Sequence, residues 1–237
     1  MSHPQLLEQY LRPLIRGERR SCRQIVQNAL DTGLHPRAFI EDVLWPAMET
    51  IDKLYRHDKI NAVNEHMATR INRLIANQLQ ARLPQTAPHG RRVVMACAHD
   101  EPEELGAQMC SDLFEAEGWD VYFVGGGVPH DEILSLVGEL RPALLLLFGS
   151  KPADAPRIRE LITLIRHVNA APEMNVMVAG GVFNRADGLW QEVQADLFAP
   201  TARDALTLAN HARPRQAEPP RMDAPKKRRR RRKAPVC

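Results

Sequence analysis

Three groups of residues in this 237-residue chain have types and spacings that suit chemistry. The first is the run from Val93 to Gly106, where an apolar stretch gives way to His99, Asp100, Glu101, Glu103 and Glu104 before a glycine. An imidazole nitrogen at such a turn is a good donor to a transition metal such as cobalt or iron. A carboxylate is a harder, anionic ligand, and three glutamates so close together disfavour one another's approach. The second group is the pair Glu65-His66, with Tyr55 eleven residues before His66. An aromatic ring offers apolar contact, and a histidine beside an acid can bond or ligate. In the absence of a ligand the same residues read as a core cap (Tyr55) and a solvated helix face (Glu65-His66). The third group is a set of turns: Gly125-Gly126-Gly127-Val128-Pro129, Gly149-Ser150 and Gly180-Gly181. Glycine lets backbone approach a bulky group, and a serine hydroxyl can bond it.

These residues need elements to position them. Residues 4–82 are rich in helix formers and lack strand alternation, with breaks at Arg16-Gly17, Thr32-Gly33 and His57 to Ile60, so four helices are expected. Pro36 fits the first turn of the third helix, whereas Pro46 should kink it. Asn61 suits the N-cap of the fourth, on which Val63, Met67, Ile71, Leu74 and Ile75 form the expected packed stripe. After a proline-bearing linker, strands are expected at Arg92 to Ala98, Asp120 to Val124, Ala143 to Phe148, Asn175 to Ala179 and Leu197 to Ala199, with helices between them. Such alternation implies a parallel, doubly wound sheet. The turns named above fall at the carboxyl ends of its strands, where ligands of open parallel sheets sit. The expected division is a helical bundle at 1–83, a linker at 84–90, a Rossmann-like (flavodoxin-like) five-stranded α/β domain at 91–211 and a disordered basic tail at 212–237.

Composition bounds the function. At 44% hydrophobic residues the chain can bury sizeable cores. The net charge is +3, but the unbroken run Lys226 to Lys233 carries +8, which leaves the other residues at −5. An argument for an anionic partner therefore rests on that run. Eight adjacent cations can neutralise nucleic-acid phosphates without reading sequence, and solubilisation is the plainer role. Five prolines from Pro214 to Pro235 flank it, a composition that favours disorder. The cysteines Cys22, Cys97, Cys110 and Cys237 show no metal-type spacing and no secretory leader precedes them, so reduced thiols in a cytoplasm are expected. No apolar run reaches the roughly 18 residues of a membrane span.

Taken together, the strand-end turns resemble the cobalamin-binding domain family. Its first βα turn carries D-x-H-x-x-G, and ungapped alignment sets Glu101 at the Asp, Glu103 at the His and Gly106 at the Gly. Gly125 to Pro129, Ser150 and Gly180-Gly181 match the turns that follow the second, third and fourth strands. The resemblance covers residues 4–210, and its helical bundle plus Rossmann-like domain is the module of methionine synthase, corrinoid methyltransferase shuttle proteins and cobalamin-dependent light-sensing repressors. The bundle is similar to that of the repressors, in which a tryptophan and an E-H pair cover the upper corrin face. Tyr55 stands at the tryptophan position and Glu65-His66 at the pair.

The resemblance implies cobalamin as cofactor, in a hydroxo or adenosyl form the sequence does not distinguish. The departure is Glu103, which cannot supply the imidazole that D-x-H provides. Three outcomes stay open: cobalamin with its own benzimidazole or a weak lower ligand; another histidine as ligand, with His99 nearest and His66 on the bundle; or haem, or nothing. His99 also reads as a plain loop histidine, and His130 as a helix-start residue.

Methyl transfer needs catalytic partners that this chain lacks, so no catalytic residue is assigned and an enzyme is not expected. The stand-alone module resembles the PpaA/AerR-type photosynthesis anti-repressors, which implies a sensor of light or redox acting through a partner repressor, possible as a homo-oligomer. No helix-turn-helix precedes the bundle, so direct operator reading is not expected. The alternatives are a corrinoid carrier for methyl transfer with separate methyltransferases, and a cofactor-free scaffold.

Overall fold

The computed structural model describes residues 3–98 and 104–216. The helix-rich segment folds into α1 (His3–Ile15), α2 (Arg19–Asp31), a composite third helix and α5 (Ala62–Gln80). Gly17 and Gly33 take φ values of +73° and +91° at the breaks, a region glycine enters without a Cβ clash. Asn61 caps α5: its Oδ1 accepts the Asn64 N–H at 2.9 Å. The third helix runs as α3 (Pro36–Phe39), a π turn (Ile40–Leu44) and α4 (Trp45–Arg56). Pro46 has no N–H for the preceding turn. The backbone meets this by widening just before it, where the Trp45 N–H bonds the Ile40 carbonyl, so the expected disturbance takes the form of a π turn.

The stripe expected on α5 is displaced. Ile71 and Ile75 are buried, but their companions are Ala68, Asn72, Ala76 and Leu79, while Val63 is 65% exposed. The Tyr10 hydroxyl draws Asn72 inward by donating to its Oδ1 at 2.8 Å, and Tyr10 in turn meets the edge of Phe39. A buried polar pair thus turns the helix away from the phase that counting apolar residues alone gives.

The strands are β1 (Arg92–Cys97), β2 (Asp120–Gly125), β3 (Leu144–Phe148), β4 (Asn175–Ala179) and β5 (Leu197–Ala199). They form one parallel sheet in the order β2-β1-β3-β4-β5. The helices of this half are α6 (Leu105–Ala116), α7 (His130–Leu140), α8 (Asp154–Val168), α9 (Gly181–Arg185), α10 (Leu189–Glu192) and α11 (Ala202–His211). Period-two alternation sorts the strand side chains onto two cores. Val93, Met95, Leu144, Leu146 and Met177 join α6, α11 and the bundle residues Tyr10, Phe39, Leu44 and Ile75 in one. Val94, Leu145, Leu147, Val176 and Val178 lie in the other with residues of α7 and α8. Bundle and sheet therefore share a continuous apolar interior.

The linker is tied down as well. Its Thr86 and His89 N–H groups bond the carbonyls of Ala116 and Gly118 at 2.8 and 3.0 Å. Residues 212–216, assigned from sequence to a disordered tail, are also held: Asn175 Nδ2 donates to the Arg213 carbonyl at 2.8 Å, and the Arg215 N–H bonds the Glu173 carbonyl at 2.9 Å. The rest of that segment, with the run Lys226 to Lys233, lies outside the described residues. No described helix is long and apolar enough to cross a membrane.

One buried group makes stability depend on pH. Asp112 on α6 has a buried Oδ2 without a hydrogen-bond partner, and burial, with Glu115 adding repulsion, raises its pKa from 3.8 to about 7. The folded state therefore holds this proton more tightly than the unfolded chain, and stability falls as pH rises from about 4 to 7. Asp112→Asn is expected to gain roughly 1–3 kcal/mol over the parent at pH 8, after discounting for solvent screening, and nothing at pH 4. Denaturant unfolding at the two pH values checks this, and an equal gain at both would reject it.

Candidate functional site

The turns after β1 to β4 open on one edge of the sheet. Of the first turn, His99, Glu101 and Glu103 lie outside the described residues, and the chain resumes at Glu104. Its carboxylate accepts the Gly126 N–H at 2.5 Å, and a Cβ at Gly125, where φ is +75°, would come 2.6 Å from the same oxygen. Glu104 thus ties the first turn to the second. In the sequence it is only one of three crowded acids, because the donor it satisfies lies 22 residues away.

Gly127, Val128 and Pro129 continue into a cavity of about 330 Å³. Ala96, Leu147, Ile133 and Ile158 give it apolar walls, and His130, Arg157 and Glu160 also line it. Across the next turn, buried Asp154 accepts the N–H groups of Ser150 and Lys151 at 2.7 and 2.8 Å. At the end of β4, Gly180 holds φ +102°, and a Cβ there would lie 2.4 Å from the Gly149 carbonyl oxygen. The third and fourth turns therefore touch through bare backbone. Gly181 faces the Arg185 guanidinium, which donates to the Ser150 carbonyl at 2.5 Å.

The bundle meets this edge along one side of α4. A Cβ on Gly106 would lie 3.4 Å from Met48 Cε and 3.6 Å from the Trp45 ring. One turn beyond Met48, Asp52 Oδ2 pairs with Arg185 Nη1 at 3.5 Å, and Tyr55 follows three residues later. Positions 45, 48, 52 and 55 recur at helical spacing, so α4 lies across the ends of β1 and β4 and carries Tyr55 with it. Burial lowers the Arg185 pKa, Arg56 adding to the effect and Asp52 opposing it. Neither Asp52 nor Arg185 belongs to a recognisable motif, and only the fold brings them together.

Tyr55 is 43% exposed, so it does not cap the core. In the first turns of α5, Val63 and His66 share a face three residues apart. His66 Nε2 lies 3.5 Å from Glu65 Oε2, and Thr69 Oγ1 donates to the other Glu65 oxygen at 2.9 Å. The imidazole is thus exposed while its acid is anchored. Among the described residues no three acids, histidines or cysteines gather to bind a bare metal ion. Cys97, which lines the cavity, and Cys22 and Cys110 are buried and form no disulfide, and burial pushes Cys22 up to about 11, Glu18 adding to it.

Sheet order, strand-end glycines and the bundle lying across them define a cobalamin-domain architecture. The chain belongs to the B12 binding domain family, whose profiles match residues 6–80 and 91–209. It is 22% identical over 195 residues to monomethylamine corrinoid protein 1 of Methanosarcina acetivorans, covering 79% of this chain and 88% of that one. It is 23% identical over 208 residues to the methanol--corrinoid protein of Methanosarcina barkeri, covering 85% and 79%. The solved Methanosarcina barkeri monomethylamine corrinoid protein shares the fold, with a TM-score of 0.77 at 15% identity over 88% of this chain and 98% of that one. These relatives are named as corrinoid proteins, in agreement with a binding protein rather than an enzyme. The expected likeness to anti-repressors in particular is not what these relatives are named for; their names agree with the alternative, a corrinoid protein.

Proposed function

We propose that this chain is a corrinoid carrier: it holds cobalamin between the bundle and the strand ends and presents it to separate methyltransferase partners. The observation that carries the reading is the placement of α4 across the ends of β1 and β4, in a chain matched over both halves by corrinoid proteins.

The residues present fit such a group. The 330 Å³ cavity lies in the usual size range for a small-molecule site and suits the nucleotide tail. Gly180 and Gly149 let the third and fourth turns close on each other at the strand ends. The Ser150 hydroxyl has no partner among the described residues and is available to the buried base. Tyr55 and Val63 offer apolar contact to a corrin face, and His66, steadied by Glu65, offers a nitrogen donor. When bound, the cobalt centre supplies a position that accepts and releases a methyl group.

A second reading, a light- or redox-responsive regulator acting through a partner repressor, draws on one departure. Glu103 stands where the lower ligand is expected, and His66, if it stayed bonded to the metal, would close the face that a methyl carrier needs open.

The test is visible absorption after separate incubation with hydroxocobalamin, adenosylcobalamin and haemin, followed by gel filtration in darkness and after illumination. A stoichiometric cobalamin complex with no retained haemin, unchanged in size by light, is the expected result. Failure to retain either cobalamin ends both readings in favour of a cofactor-free scaffold. A light-dependent change of size in the adenosylcobalamin complex shifts the assignment to the regulator.

A further inference from the structure

β2 lies at one edge of the sheet and lacks the usual protection of an edge strand. Such a strand presents unpaired N–H and C=O groups, which proteins guard with lysine, proline or a very short strand. β5, at the other edge, is three residues long. β2 runs for six, Asp120-Val-Tyr-Phe-Val-Gly125, and its single charge is Asp120 at the start. Tyr122 and Phe123 are 38% and 37% exposed. Neighbouring side chains point to opposite faces of a sheet, so β2 is open on both.

The free backbone groups can be identified. The Asp120 N–H bonds the Arg91 carbonyl at 2.9 Å, which turns the backbone groups of Asp120, and by alternation those of Tyr122, toward β1. Those of Val121 and Phe123 therefore face outward. Among the described residues nothing bonds them. In an antiparallel ladder two opposed residues exchange both of their bonds, so an outward residue must oppose another outward one. One register uses both: Val121 opposes Phe123 of the second strand, and Tyr122 opposes its own copy between them. Sliding by two residues would set Val121 against Gly125, which is already paired with Ala96.

We propose that this edge is the contact between two copies of the chain, paired antiparallel about a two-fold axis at Tyr122. Val121 and Phe123 exchange both bonds on each side of the axis. Tyr122 aligns with Val94 and Phe123 with Met95, which lie in the two separate cores. The tyrosine rings therefore meet on the α7 side, and each Phe123 meets Val121 of the other copy on the α6 side. Charge also suits a second copy, because Asp120 opposes Val124 and lies roughly 14 Å along the strand from its own counterpart. A contact of this isologous kind closes at two chains. Antiparallel pairing turns the carboxyl ends of the two sheets in opposite directions, so both cofactor edges stay open to other proteins. The contact does not depend on the cofactor.

Sedimentation velocity of the full-length protein over a range of concentrations is expected to show a monomer–dimer equilibrium. Phe123→Lys, which sets a charge against Val121 twice in each dimer, should raise the dissociation constant at least about tenfold. Its melting temperature should not change, because the side chain is already open. Cysteine cross-linking in a Cys237→Ser background reads the register independently. Tyr122→Cys should give a disulfide-linked dimer under mild oxidation, since opposed residues of a non-hydrogen-bonded pair bring their Cβ atoms within about 5 Å. Asp120→Cys should stay monomeric on the same denaturing gel. A parent chain that is monomeric at every concentration overturns the proposal, as does a dimer that Phe123→Lys leaves intact or equal cross-linking at the two positions.

Discussion

Gly180→Ala is expected to lower the melting temperature by roughly 5–15 °C. Two costs add at this position. The first is conformational: φ +102° and ψ 168° lie in a region open almost only to glycine, worth about 1–3 kcal/mol. The second is steric, because the new methyl would sit 2.4 Å from the Gly149 oxygen. That oxygen also accepts the Val182 N–H, so it cannot retreat without cost. The control is Gly33→Ala, where φ is +91° but nothing lies within 4 Å. That variant should pay the conformational cost alone, about 1 kcal/mol. Thermal unfolding followed by circular dichroism distinguishes the two. Equal losses would mean that the close approach of the third and fourth turns is not structurally important.

The second large effect concerns the axial ligand. His66→Ala is expected to weaken hydroxocobalamin binding by roughly 10–100-fold, at least the loss usual for a group that supports a metal ligand, and to shift the visible bands that report axial ligation. Tyr55→Ala should weaken binding without moving those bands, since a ring in apolar contact leaves cobalt untouched. Glu103→His, which puts an imidazole at the His position of the motif with Glu101 still at the Asp position, should tighten binding. Spectrophotometric titration of the four proteins reads all three effects. An unaltered spectrum and affinity in His66→Ala would move the ligand to His99 or remove protein ligation altogether.

Much of this architecture was legible because its signals are local. Strands such as Leu144–Phe148 are unbroken apolar runs between turns, and Asn61 and Gly33 mark helix ends through their own backbone chemistry. The phase of α5 was not legible, because the Tyr10 hydroxyl that draws Asn72 inward lies 62 residues away. The same holds at the site. Tyr55, His66 and the strand-end glycines stood out by type and spacing, whereas Asp52 and Arg185 have meaning only once α4 crosses the sheet edge. The anti-repressor expectation rests on the stand-alone module, the degraded motif at Glu103 and the catalytic partners that methyl transfer needs, whereas the carrier alternative gains a match running through both halves of the chain.

The π turn at Ile40–Leu44 gives the bundle a place where chain length can change without harm. A π turn holds one residue more than the α turn it replaces at about the same total winding, so deleting one residue there would restore regular winding and leave α4 facing the sheet edge. The same deletion within the regular winding between Trp45 and Asp52 would turn everything beyond it by about 100°. Asp52 would then swing away from Arg185, and Tyr55 would leave the sheet edge. Descendants that lost one codon at either place would look alike in any motif search, yet only those altered at the π turn would keep the site in space.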